Sequence, residues 1–186
     1  MNAGDERDEW LMAQLARGER EYLEPLVRRY ASPLLTFIRR MIGDRHRSEE
    51  LFQEIFLAVW TKREQYQFPR SFRAWLFGIA VNKCRADYRS QPACRIVSLN
   101  DDPPRFALAP DPSPADALIA TETAELVATA VARLPEQQRA TVVLRVWNGL
   151  SYAEIAEVVG RSEATVRSNM HHGLAALRKF LEPRMH

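Results

Sequence analysis

"SYAEIAEVVGRSEATVRSNM", residues 151–170, carries two short helical patterns separated by a single glycine. Ser151 stands where a helix cap belongs, and Ile155 and Val159 recur one turn apart on one face. Small Ala156 permits close approach of a second helix, Gly160 supplies the turn, and Ser162 caps that second helix with Glu163 in its first turn. Val166, Met170, Leu174 and Leu177 then recur as a buried stripe. This is the grammar of a helix-turn-helix, and it commits the C-terminal part of the chain to an α-helical, nucleic-acid-reading fold.

The polar side of that second helix runs on into "MHHG". Adjacent histidines sit about 100° apart around a helix axis, so His171 and His172 do not aim at one metal. No cysteine or acidic residue stands three or four positions away to complete a site. No metal and no cofactor is expected. With Val166 and Met170 inward, the outward arc offers Arg167, Ser168, His171 and His172, with Arg161 and Thr165 at its start, to base edges and phosphates in a major groove.

The rest of the 186-residue chain reads the same way. A hydrophobic share of 46% beside 27% charged residues suits a core-forming protein, and no run reaches the roughly 18 apolar residues of a membrane span. The acidic N-terminus lacks a secretion signal, so a cytoplasmic location is expected. Cys84 and Cys94 form no CxxC pair and are read as reduced thiols. Six of the eleven prolines fall between Pro92 and Pro114, which marks a linker rather than a packed helix. The expected organisation is all-α: two small helical domains, residues 1–91 and 115–186, joined by the Pro-rich segment 92–114.

Before the linker, "EYLEPLVRRYASPLLTFIRRMIG" places Leu23, Leu26, Val27, Tyr30, Leu34, Phe37, Ile38 and Met41 three or four apart, with Gly43 as a stop. "SEELFQEIFLAVW" predicts another helix, capped by Ser48. Its Glu49, Glu50, Gln53 and Glu54 form one stripe that suits either a basic protein partner or plain solvent. The net charge of +2 hides eight basic residues between Thr61 and Arg95 against Glu64 and Asp87. They are interleaved with aromatics in "QYQFPRSFRAWLFGIAVNKCRADYR", a combination that holds single-stranded nucleic acid by stacking and charge. Tyr66, Phe68 and Phe72 precede the helix and are expected to be exposed; Trp75 and Phe77, at helical spacing, suit the core.

Taken together, "LVRRYASPLLTFIRRMIGDRHRSEELFQEIFLAVW" resembles regions 2.1 and 2.2, and "FRAWLFGIAVNKCRADYR" regions 2.3 and 2.4, of the extracytoplasmic-function (ECF) group of sigma-70 family transcription initiation factors. "ARLPEQQRATVVLRVWNGLSYAEIAEVVGRSEATVRSNMHHGLAALRKFL" is similar to their region 4. The resemblance implies a factor that performs no chemistry itself but directs core RNA polymerase to promoters. It places Glu49, Glu50, Gln53 and Glu54 on the β′ clamp helices. Phe68, Arg70, Phe72, Arg73, Asn82, Lys83, Arg85 and Arg89 fall at the minus-ten element. Arg161, Thr165, Arg167, Ser168, His171 and His172 fall at the minus-thirty-five element. It also implies contact with the β flap and an anti-sigma partner. Asn169 and His172 stand where the family commonly has arginines, so phosphate attraction by this helix is expected to be weaker. A stand-alone helix-turn-helix regulator is the alternative, but it leaves the acidic stripe and the aromatic-basic block without a role.

Overall fold

In the computed structural model, which describes residues 7–90 and 114–184, eight α-helices carry the fold and no strand occurs among the described residues. They are α1 (Asp8–Ala16), α2 (Leu23–Ile42), α3 (Arg45–Thr61), α4 (Phe72–Ser90), α5 (Pro114–Ala132), α6 (Glu136–Val146), α7 (Tyr152–Val159) and α8 (Glu163–Leu181). The expected linker 92–114 lies outside the described residues except for Pro114, which opens α5.

The N-terminal module packs α2, α3 and α4 around Phe37, Leu51, Ile55, Leu76 and Phe77, all buried. Phe37 and Phe77 meet edge to face with centroids 5.5 Å apart, the geometry that sets a positive ring edge on a negative face. Gly43 ends α2 at φ 80°, a left-handed conformation that costs a glycine nothing. That tight stop explains why α3 begins earlier than predicted. Asp44, not Ser48, is its cap, accepting from the Arg47 amide at 2.7 Å, while Ser48 is buried a turn inside and donates to the Asp44 carbonyl. Helix α1 has no counterpart among the sequence expectations. Its Leu11, Met12 and Leu15 are fully buried, and Asp8 accepts from Arg29 and, at 2.6 Å, from the Tyr30 hydroxyl.

In the C-terminal module, Ser151 forms a full capping box with Glu154, Gly160 turns at φ 65°, and Ser162 caps α8 through the Thr165 amide. The predicted buried stripe of α8 holds at Val166 and Met170, is only partly buried at Leu177, and needs a correction between them. Leu174 is exposed, and Gly173 lies in the core in its place. Seven residues advance a helix by about 700°, within 20° of a whole turn, whereas eight overshoot by about 80°. Position 173 therefore aligns with Val166. A Cβ at Gly173 would sit 2.8 Å from Cγ2 of buried Val142. Gly173→Ala is expected to destabilise the protein by about 1 kcal/mol, the steric cost of ~1–3 kcal/mol outweighing a gain in helix propensity of ~1 kcal/mol. A fall of several degrees in Tm by calorimetry checks this.

The two modules share one apolar cluster that runs from Leu11 to Val166. Helix α7 lies on α4 and α6 on α2. Asn148 donates to the Pro33 carbonyl at 2.9 Å, and the Arg40 guanidinium stacks 4.1 Å from the Trp147 ring centroid. Arg139 of α6 donates to the carbonyls of Met41 (2.8 Å) and Leu134 (3.1 Å) and to the Tyr88 hydroxyl. Cys84 lies beneath this seam, where burial, then the negative charges of Asp87 and Glu136, push its thiol up to about 12. Only the thiolate is nucleophilic. Cys84 is thus expected to resist iodoacetamide in the folded protein and to label on denaturation, as peptide mass spectrometry after a timed pulse would show.

Candidate nucleic-acid interface

The polar face of α8 is turned outward, as its spacing requires. Arg161, Thr165, Arg167, Ser168, His171 and His172 are all exposed, while Val166 and Met170 are buried. The imidazoles of His171 and His172 touch edge to face at 5.6 Å, and among the described residues no cluster of three metal-ligating side chains occurs. A contact that sequence did not suggest orients Arg167. Its guanidinium lies 4.5 Å from the Tyr152 ring centroid, with Arg145 at 5.0 Å on the same ring, and Glu163 bonds it at 3.2 Å. Cation–π stacking restricts a long side chain that would otherwise sweep freely.

The aromatic-basic block divides. Phe68 is 62% exposed, as expected for a ring free to stack. Phe72 and Tyr66 are buried instead. Phe72 opens α4 one turn before Leu76, so helical spacing turns its ring onto Tyr30 at 5.3 Å. Tyr66 packs on Trp75 at 5.4 Å and donates to the Arg70 carbonyl. Phe72 is therefore a support for the preceding loop and not a stacking platform.

The basic residues divide too. Asn82 and Arg89 are exposed. Arg70 pairs with Glu157 of α7 at 2.5 Å and Arg85 with Glu136 of α6 at 2.9 Å. Arg73 reaches the Gly149 turn, where a Cβ would stand 3.5 Å from its guanidinium. Lys83 turns toward α3 and bonds Glu54 at 2.9 Å.

On α3 the acidic stripe is threaded with its own cations. Glu49 meets Arg45 at 3.2 Å and Arg39 at 3.4 Å; Glu50 meets Arg47 at 2.7 Å; Glu54 meets Arg47 at 3.1 Å. Arg47 also reaches buried Asp87 at 2.6 Å, and the bonds to Glu50 and Asp87 hold its guanidinium more firmly protonated than usual. The Lys83 hydrogen bond, against the opposing effect of burial, holds the Glu54 carboxyl below its ordinary value. A depressed carboxyl stabilises the fold above the ordinary range, and that contribution fades as pH falls through the lowered value. Gln53 is exposed on the same stripe. So is Leu57, at 63%, one turn further on. Positions 50, 53 and 57 share one face, a spacing visible in the sequence, but an apolar residue there reads as core until the fold shows it facing outward.

Comparison with known proteins agrees with this anatomy. The family model described as sigma-70 region 2 matches residues 26–93, and that described as sigma-70, region 4 matches residues 124–177. The chain is 31% identical over 168 residues to the ECF RNA polymerase sigma factor SigL of Mycobacterium tuberculosis, covering 90% of this chain and 93% of that protein. It is 34% identical over 158 residues to the ECF sigma factor SigE of Mycolicibacterium smegmatis, covering 85% of this chain but 61% of that longer protein. Among solved structures, that of CnrH in complex with the cytosolic domain of CnrY is similar, with a TM-score of 0.73 and 26% identity, covering 95% of this chain and 98% of CnrH. With both regions matched in order and SigL covered almost end to end, the chain belongs to the ECF group of sigma-70 family RNA polymerase sigma factors.

Proposed function

We propose that this protein binds core RNA polymerase through the exposed face of α3 and directs it to promoters that α8 and the α4 region read. The observation that supports the reading is the presence on one chain of a helix whose exposed Leu57 and Gln53 lie beside an acidic stripe, and of a helix-turn-helix whose polar face is open. Duplex contacts by Arg161, Thr165, Arg167, Ser168, His171 and His172 fix the upstream element. Phe68, Asn82 and Arg89, with Arg70, Arg73 and Arg85, hold the separated strand downstream. Two modest contacts on one chain add through effective concentration. Bond formation is left to the polymerase.

Run-off transcription with purified core polymerase on a promoter library tests the reading; absence of any promoter-dependent product above core alone removes it. A stand-alone regulator makes no such product. In competition binding to promoter duplex, Arg167→Ala is expected to weaken binding by ~1–3 kcal/mol, about 5- to 150-fold, and to relax discrimination at one base position. Tyr152→Leu should share the loss of discrimination, while Tyr152→Phe, which keeps the ring, should retain it; equal behaviour of the two in competition binding contradicts the stacking role.

A partner that occupies the same faces is also proposed. CnrH was solved with the cytosolic domain of CnrY bound, and the RpoE of Bartonella quintana, a fold relative, with the anti-sigma factor NepR. An anti-sigma protein that covers α3 would compete with core polymerase for Leu57 and Gln53.

A further inference from the structure

The segment that carries Phe68 is tied at both ends and open between them. Tyr66 and Phe72 are buried, whereas Gln67, Phe68, Pro69 and Arg70 are all exposed. At the near end the Tyr66 ring lies on Trp75 and its hydroxyl donates to the Arg70 carbonyl, while the Arg70 amide donates to the Gln67 carbonyl at 2.9 Å. A ring held out on so short a loop takes its direction from these anchors, and a contact that must meet a base in one geometry depends on how firmly they are fixed.

At the far end α4 begins, and the amides of a helix's first turn have no partner inside the helix. Ser71 takes one of them, accepting from the Ala74 amide at 3.2 Å. The Phe72 amide is taken from outside: it donates to Oε1 of Glu9 at 3.3 Å, 63 residues earlier in the chain. Glu9 stands in the first turn of α1, so its carboxylate lies at the positive ends of two helices at once. Its charge also bears on the near anchor. Burial first, then Glu9, pushes the Tyr66 hydroxyl up to about 12, which keeps it a donor at neutral pH. Helix α1 is itself firmly seated: Leu11, Met12 and Leu15 are fully buried, and Asp8 bonds the hydroxyl of Tyr30, whose ring meets Phe72. It lies ahead of residues 26–93, matched to sigma-70 region 2, so that match gives it no role.

We propose that Glu9 is a positioning residue for the strand contact: from α1 it fixes the start of α4, and through it the direction in which Phe68 is held out to an unpaired base. It acts through the Phe72 amide and does not itself meet the base.

This inference rests on the reading of Phe68 as a strand contact, and the test separates the two. Holoenzyme is reconstituted from purified core polymerase and the full-length chain as wild type, Glu9→Ala, Glu9→Gln, Phe68→Ala and Glu9→Ala/Phe68→Ala. Each is titrated into fluorescein-labelled DNA of the strongest promoter from the run-off library, with its downstream strand left unpaired and a single abasic site moved along that strand. Wild type should lose affinity about 5- to 150-fold where the missing base is the one stacked on Phe68, and Phe68→Ala should erase that penalty. Glu9→Ala should shrink the penalty at the same position about three- to tenfold, on the scale of a lost helix cap. Glu9→Gln, whose side-chain carbonyl still accepts from Phe72, should keep most of it. With Phe68 already alanine, Glu9→Ala should change nothing further at that position. Gly173→Ala, which lowers Tm from a distant helix, should leave the penalty intact; a loss there equal to that of Glu9→Ala reduces Glu9 to a stability effect and overturns the proposal. A full penalty in Glu9→Ala, at a position that Phe68→Ala erases, overturns the positioning role and leaves the strand reading standing. No position whose penalty Phe68→Ala erases overturns both.

Discussion

Glu50→Lys/Glu54→Lys is expected to reduce capture of core RNA polymerase by at least ~100-fold and to abolish run-off transcription. Placing like charges across an interface costs several kcal/mol, and about 2.7 kcal/mol already gives a factor of 100. The structure adds a second reason for a large effect. Glu50 and Glu54 both bond Arg47, and Glu54 also bonds Lys83, so each reversal sets a new ammonium against a resident cation. The loss of binding and the loss of local order are told apart by Leu57→Ser. Leu57 is 63% exposed, so its removal should leave Tm within a degree or two. Losing its burial in the complex, at ~1.5–3 kcal/mol for a leucine side chain, should still weaken polymerase binding by about tenfold or more. Fluorescence anisotropy with labelled protein and core polymerase measures the binding, and calorimetry the Tm. Full transcription by the charge-reversed protein, or unchanged binding by Leu57→Ser, would move the docking surface off this face of α3.

The second large effect lies in the core. Phe37→Ala should cost ~3–5 kcal/mol, because it removes a ring that is fully buried and leaves a cavity that α2 and α4 cannot close. Part of the loss is the edge contact to Phe77. Against a total stability of about 5–15 kcal/mol, such a variant is partly unfolded at growth temperature. Denaturant titration should show a lower midpoint with an unchanged slope. Phe72→Ala should behave in the same way. It should not behave as a surface variant whose only defect is strand binding, since Phe72 is buried against Tyr30 and Tyr66.

Much of the local architecture could be read along the chain. The caps Ser151 and Ser162, the turns at Gly43 and Gly160, and the stripes through α2 and α8 depend on residues within a few positions of one another, and periodicity reports such relations faithfully. The exceptions were also local, and each has a cause. Ser48 lost the capping position because Gly43 stops α2 so abruptly that Asp44 is free to start α3. Leu174 lost its place in the stripe because 3.6 residues per turn favours position 173 after two turns, and Gly173 lets α6 approach. Helix α1 is short, and only contact with Tyr30, Arg29 and the core makes it an element.

The composition and spacing of the chain determined by themselves that it is helical and that its C-terminal helices form a helix-turn-helix; the order of its acidic, aromatic and basic stretches was read from their resemblance to the sigma-70 regions. Only tertiary structure decided which of those side chains are free. Arg70 and Glu157 are far apart in the chain, as are Arg85 and Glu136, and no periodicity links them; their pairing comes from α6 and α7 packing on α2 and α4. The outward Leu57 and the inward Phe72 were settled in the same way, since a helix specifies relative angle and its neighbours specify which angle is buried.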